Sequence, residues 1–246
     1  MEWIKGFVFK QKCMPWRFYV IYARCRNYLF NVNTQRYWDM VWSNEKYKTR
    51  PNRFCPNAFN KIVQLVPHYS DVVDIGCGIG ILLKTLRKEN NCEVFGVDIS
   101  KEAIDALKEQ NIDGIVAKVP PIPLPPNHCD VAIATELLEH VNSPDCVLDE
   151  MVRIVKDGGF LILMVPDNTL SPDSEREHVS VFDSHSLKTL FIKNNKIRNI
   201  EIHKVKDENE NINRLIAKGE VHKKGCSTDN KQENMTHKKC CLKNEN

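Results

Sequence analysis

A chain of 246 residues is long enough for one α/β domain with a substantial core. Its net charge of +3 is too small to argue by itself for a nucleic-acid partner. Ten cysteines fall at irregular spacing, several of them (Cys77, Cys92, Cys129) inside apolar runs, which suits free thiols in a reducing compartment better than a disulfide framework. The longest uncharged stretch, 119–129, is too short and too proline-rich to span a bilayer. Lys5, Lys10, Lys12 and Arg17 interrupt any leader-like apolar run, so the expected location is cytoplasmic.

The first element in chain order is basic and aromatic. Over residues 1–38, Lys5, Lys10, Lys12, Arg17, Arg24, Arg26 and Arg36 face only Glu2. Phe18, Ile21, Tyr22, Cys25 and Leu29 recur at helical spacing within it, which predicts an amphipathic helix. Two readings stay open: a lid packed across the core, or weak contact of residues 1–30 with an anionic membrane surface. We take 1–56 as this N-terminal helical segment.

From residue 57 the pattern alternates. It predicts helices over 57–66, 80–89, 101–110 and 143–156, with strands over 71–76, 92–98, 114–118, 129–134 and 158–165. Gly158 and Gly159 read as a helix stop before the last of these. The prolines of 120–126 read as a stiff connection. A helix near 183–193 and a hairpin of 196–205 with 213–221 follow. Alternation of this kind predicts a parallel sheet with helices on both faces, binding ligands at the C-terminal strand ends. The predicted domain is 57–221. Residues 222–246 are polar and read as a disordered tail, whose His222, Cys226, His237, Cys240 and Cys241 match no paired metal-ligand spacing.

The informative stretch is VVDIGCGIGILLKTL, residues 72–86. An apolar strand ends in Asp74, glycines stand at 76, 78 and 80, and a helix begins. Unpaired backbone N–H groups and a helix dipole would then face whatever lies above the turn. A dinucleotide fingerprint needs glycine at 81, where Ile81 stands, and a P-loop needs Lys-Ser/Thr where Leu82-Leu83 stand. The pattern D-x-G-x-G-x-G with an acid ending the next strand, Asp98 in VFGVDIS, suits a ribose bearing a small group laid against the turn.

VVDIGCGIG, VFGVDIS, CDVAIATELLEHV and DEMVRIVKDGGFLILMVP stand in the order and spacing of class I S-adenosylmethionine-dependent methyltransferases, which the chain resembles over roughly 35–220. The resemblance implies a Rossmann-like seven-stranded α/β sheet with its last strand antiparallel. It also implies S-adenosyl-L-methionine as cofactor, with Asp74 and the turn Gly76, Cys77, Gly78, Gly80 at its methionine end, Asp98 on the ribose, and Ile99 and Thr135 alongside. One departure stands out: no acid lies between Gly114 and Asn127, where such families commonly hold the adenine amino group.

The segment after the fourth strand reads ATELLEHV, without the Asn/Asp-Pro-Pro-Tyr/Phe of amide and DNA N-methyltransferases or a Pro-Cys nucleophile. That favours a small molecule or an RNA end as acceptor, and the favoured reading is transfer to a hydroxyl oxygen of a small molecule. Glu136, Glu139 and His140, at i, i+3 and i+4, would share a helix face and could hold a divalent metal. ELLEH looks like the metal-associated E-x-x-E-H of ubiquinone-biosynthesis O-methyltransferases, and a similar arrangement occurs in small-RNA 2′-O-methyltransferases. His140 as a structural hydrogen-bonder is the competing reading. His178, after the fifth strand, is the second catalytic candidate, against a role in pinning its loop, and Tyr37 and Trp38 are candidate lid residues. Two further alternatives remain: a catalytically silent subunit that binds a partner through its basic N-terminus, and a methyltransferase of RNA termini, which the small basic excess disfavours.

Overall fold

The computed structural model describes residues 33–44, 55–167, 177–207 and 212–223. The N-terminal amphipathic stretch and the Cys-containing tail lie outside them. Helix α1 (Gln35–Ser43) and α2 (Pro56–Leu65) precede β1 (Asp71–Ile75), α3 (Ile81–Asn90), β2 (Glu93–Asp98), α4 (Lys101–Glu109) and β3 (Asp113–Val116). Then come β4 (Cys129–Thr135), a 3-10 turn (Leu138–His140), α5 (Pro144–Ile154), β5 (Val155–Pro166), α6 (Ser184–Lys193), β6 (Ile197–Asp207) and β7 (Ile212–Val221).

The strands form one seven-stranded sheet in the order β3-β2-β1-β4-β5-β7-β6. β1 to β5 pair in parallel, and β7 slots antiparallel between β5 and β6. The expected α/β architecture, with the hairpin supplying the final two strands, is the one observed. The order reverses between β1 and β4, so ligands belong where the loops after these strands part.

Strand periodicity explains how the sheet is covered. Val73, Ile75, Ala132, Ala134, Leu161, Leu163 and Leu215 meet α5 and α6 on one face. Their neighbours Val72, Val131, Ile133, Ile162, Met164 and Ile216 meet α2 and α3 on the other. Leu107 and Ile104 of α4 pack with Leu83, Cys77 and Ile112 in a third cluster.

Two expectations need correction. Gly158 and Gly159 do not stop a helix: α5 ends at Ile154, and the glycines lie inside β5. The register shifts opposite them, between Cys129 and Val131, and a Cβ on Gly159 would come within 2.4 Å of the Asp130 carbonyl oxygen. They serve a bulge and a close backbone approach. The free-thiol expectation holds for the buried Cys55, Cys77, Cys92 and Cys129, whereas Cys146 is disulfide-bonded.

Arg153 holds the proline-rich connection. Its guanidinium donates to the carbonyls of Leu124 (2.7 Å) and Ile122 (2.7 Å) and to both carboxylate oxygens of Glu150, which in turn accepts the Ile122 N–H. Replacing Arg153 with Met takes the cationic partner from a buried carboxylate and the donors from two loop carbonyls, so it should destabilise the fold by about 3 kcal/mol. A lowered urea midpoint at unchanged slope would register this; an unchanged midpoint would show the connection to be held otherwise.

Candidate functional site

The glycine turn is folded back across β2. Gly76 and Cys77 donate their N–H groups to the Val97 carbonyl, at 2.7 and 3.2 Å. Gly76, Gly78 and Gly80 all have positive φ, which an L side chain rarely adopts. Gly80, left-handed, is the N-cap of α3 and offers no side-chain cap to the first turn. Below the turn, Cys77 is buried in the α4 cluster, its thiol pushed up by burial and then by the Asp98 and Asp74 charges. Its side chain packs in the core and its thiol donates to the Gly78 carbonyl of the turn at 3.5 Å.

Asp98 ends β2 and sits 7% exposed. One carboxylate oxygen accepts the Gly78 N–H and the other the Ser100 N–H, both at 2.8 Å. Each oxygen retains a second lone pair, so the carboxylate can still receive two ribose hydroxyls. Burial pushes Asp98 up to about 6 despite these bonds, and the Asp39 charge adds to the rise. Asp74, 1% exposed with Oδ1 lacking a hydrogen-bond partner, is raised well above the carboxylate range by burial and then by Asp98.

Helix α1 covers the turn. Thr34 caps it by accepting the Tyr37 N–H. Asp39 accepts from Ser100 Oγ at 2.7 Å and the Glu102 N–H at 3.3 Å, seating α1 on the start of α4. One turn on, Trp42 lies so close to Gly78 that a Cβ there would stand 2.7 Å from the indole. The lid expectation named Tyr37 and Trp38 and missed Asp39 and Trp42. The i, i+4 spacing of the two tryptophans was the available signal.

The second half of the site follows β4. Thr135 ends the strand opposite Met164, and Ile99 follows Asp98 half-buried. Glu136 adopts φ 52°, and Leu137 seats against Gly76. The expected helix face does not exist: Leu138–His140 is a three-residue 3-10 turn, and Glu136 lies before it. Glu136 instead stands 3.0 Å from the guanidinium of Arg214, a buried residue of β7. The structure replaces it with His178: ligand atoms of Glu139, His140 and His178 all lie within 4.8 Å of one another. The imidazoles of His140 and His178 meet edge to face at 4.8 Å, and Trp38 packs on His140 at 5.1 Å. Val179 and Ser180 N–H groups bind the Glu139 carbonyl at 2.7 and 3.1 Å, which brings His178 to the turn.

Glu139 is 1% exposed, and neither carboxylate oxygen has a hydrogen-bond partner. Burial first, and the Glu136 charge second, hold it well above the usual carboxylate range, against the pull of its own N–H and Arg214. A buried carboxyl beside two imidazoles can bind a cation or take part in proton transfer.

A family model described as a methyltransferase domain matches residues 44–195. Ubiquinone biosynthesis O-methyltransferase of Nitrosomonas europaea is 28% identical over 141 residues, covering 54% of this chain and 58% of that protein. tRNA (carboxymethyluridine(34)-5-O)-methyltransferase of Arabidopsis thaliana is 30% identical over 106 residues, covering 42% and 26% respectively. The chain thus spans at most little more than half the length of these curated relatives. Among solved structures, a Haloferax volcanii putative methyltransferase in complex with the Trm112 activator superposes with TM-score 0.65 at 18% identity, covering 76% of this chain and 98% of that one. Haemonchus contortus phosphoethanolamine N-methyltransferase 2 with S-adenosyl-L-methionine gives 0.63 at 16% identity, covering 82% and 60%.

The raised Asp98 sets a pH dependence. Its protonation favours the ligand-free fold below about pH 4, and that contribution is lost as pH rises through about 6. Ribose hydroxyls need the ionised form, so binding weakens as pH falls through the same range. Calorimetric titration with S-adenosylhomocysteine should show the dissociation constant rising about tenfold from pH 7.5 to 5, and Asp98→Asn should bind weakly with no such slope. A wild-type slope of zero would remove Asp98 from the ligand.

Proposed function

The chain belongs to the methyltransferase-domain family, of the class I S-adenosylmethionine-dependent type, and from that premise we propose that it methylates a hydroxyl oxygen of a small-molecule acceptor. The observation that carries this reading is the juxtaposition of buried Glu139 with His140 and His178 beside the glycine turn. An amine brings its own lone pair to the sulfonium methyl, whereas a hydroxyl must lose a proton. The acceptor oxygen attacks the methyl carbon in line with the carbon–sulfur bond, the bond's electrons return to sulfur, and an imidazole of the pair takes the hydroxyl proton. The products are a methyl ether, a neutral thioether and an imidazolium. The lid residues Trp38 and Trp42 exclude water, which strengthens each of these polar contacts.

A divalent cation also fits the donor set. The two unpartnered oxygens of buried Glu139 are the groups a cation would satisfy, with His140 and His178 as nitrogen ligands. One carboxylate and two imidazoles suit a transition metal or zinc better than magnesium. Bound there, it would lower the pKa of an acceptor hydroxyl. Glu136, engaged with Arg214, is left out of this set.

The match to a tRNA methyltransferase supports a second acceptor class, a nucleoside hydroxyl in RNA. S-adenosylhomocysteine release should be followed with phenolic and catechol-type acceptors in parallel with short RNAs. Release with the small molecules alone supports the proposal; release with RNA alone replaces it. Glu139→Gln should lower kcat about a hundredfold while the dissociation constant of S-adenosylhomocysteine moves less than about twofold. A ring nitrogen that ligates a cation cannot also take the hydroxyl proton, so dialysis against a chelator separates the two arrangements: turnover lost and then restored by manganese or zinc supports the cation. Turnover intact after chelation would leave the imidazoles as the sole proton acceptors.

A further inference from the structure

Asn33 is the first described residue of the chain, one position before the cap of α1. Its side-chain amide reaches 107 and 144 residues along the sequence: Nδ2 donates to the His140 carbonyl at 3.0 Å and to the Glu177 carbonyl at 2.8 Å. Both partners are pure acceptors, so the amide nitrogen, with its two hydrogens, must be the group that faces them.

The Glu177 carbonyl has a second visitor. His140 Nδ1 lies 3.2 Å from it. A carbonyl only accepts, so in the neutral imidazole the proton belongs on Nδ1 and the lone pair on Nε2. The Glu177 carbonyl therefore favours the Nδ1–H tautomer of His140, and the Asn33 amide holds that carbonyl while tying it to the backbone of His140 itself. Trp38, on the same N-terminal element, packs against the other side of the problem, the imidazole ring.

We infer that Asn33 is a positioning residue, acting through the Glu177 carbonyl to hold His140 in the Nδ1–H tautomer, which makes Nε2 the ring nitrogen that carries the lone pair. The inference rests on the methyl-transfer reading for its purpose, but its structural content is independent of it. Because Asn33 adjoins the helix that covers the glycine turn, the same element that closes over the cofactor also sets the protonation geometry of the acceptor side. Trp42 meets Gly78 and Asp39 meets Ser100 at one end; Asn33 meets His140 and Glu177 at the other.

Nitrogen-15 NMR of histidine-labelled protein reads the tautomer directly, without an acceptor or turnover. The wild type, with S-adenosylhomocysteine bound, should show His140, assigned by its loss in His140→Gln, as a single Nδ1–H tautomer. Asn33→Asp keeps the size but turns two donors into acceptors facing two carbonyls, and Asn33→Ala removes the group. Both should convert His140 to a mixture of tautomers while S-adenosylhomocysteine still binds within about threefold, and should lower kcat about tenfold to a hundredfold at little change in KM, the usual scale for partners behind a reacting ligand. An Nε2–H tautomer in the wild type overturns the inference whatever the variants do, and so does a pure Nδ1–H tautomer that persists in both variants. A tautomer that shifts as described in a protein that methylates no hydroxyl acceptor sustains the positioning role and overturns the methyl-transfer reading.

Discussion

The twin acceptance by Asp98 organises the cofactor half of this molecule. One oxygen holds Gly78 and the other Ser100, so a single side chain joins the turn after β1 to the start of α4. Ser100 then caps α4 by accepting the Ala103 N–H and passes its hydroxyl proton toward Asp39 on α1. The glycine turn, the cap of α4 and the covering helix are thus one connected hydrogen-bonded unit. Its cost is a pair of carboxyl groups held in a buried place, which shows in the upward displacement of Asp98 by burial and of Asp74 by burial and then by the Asp98 charge. A ligand that supplies donors to these oxygens relieves part of that cost, which ties binding to the rigidity of the same unit.

The histidine cluster is built differently. No regular helix carries Glu139, His140 or His178. A three-residue turn and a loop are stitched together by the Glu139 carbonyl, which accepts two N–H groups from residues 179 and 180, and by His140 on the Glu177 carbonyl. Backbone groups do the positioning, and the side chains of Glu139, His140 and His178 converge as a result. Burying an unpartnered carboxyl there is unfavourable for stability. Such groups persist where a ligand, cation or proton transfer needs them.

The two halves communicate through α1 and the residue preceding its cap. Asn33 and Trp38 meet the histidine cluster, Asp39 meets the start of α4 and Trp42 meets the glycine turn, so this one segment contacts both halves.

Alternating apolar residues such as Val72-Val73 and Leu161 to Val165 determined a doubly covered sheet, because strand periodicity is a local property of the chain. The glycines at 76, 78 and 80 and the acid at 98 determined the ligand-binding turn, because positive φ and a buried acceptor at a strand end demand those residue types. Spacing alone misled at Glu136, where i, i+3, i+4 assumed a helix and the chain instead takes φ 52° and turns its carboxylate toward Arg214 of a distant strand. It misled again at Gly158 and Gly159, whose job is set by the Asp130 carbonyl on the neighbouring strand. Tertiary structure decided that His178 rather than Glu136 lies with Glu139 and His140, that Asn33 reaches the His140 carbonyl, and that Trp42 packs on Gly78. These are contacts between segments from 36 to 144 residues apart, made by hydrogen bonds and packing across elements, and no local pattern in a sequence encodes them.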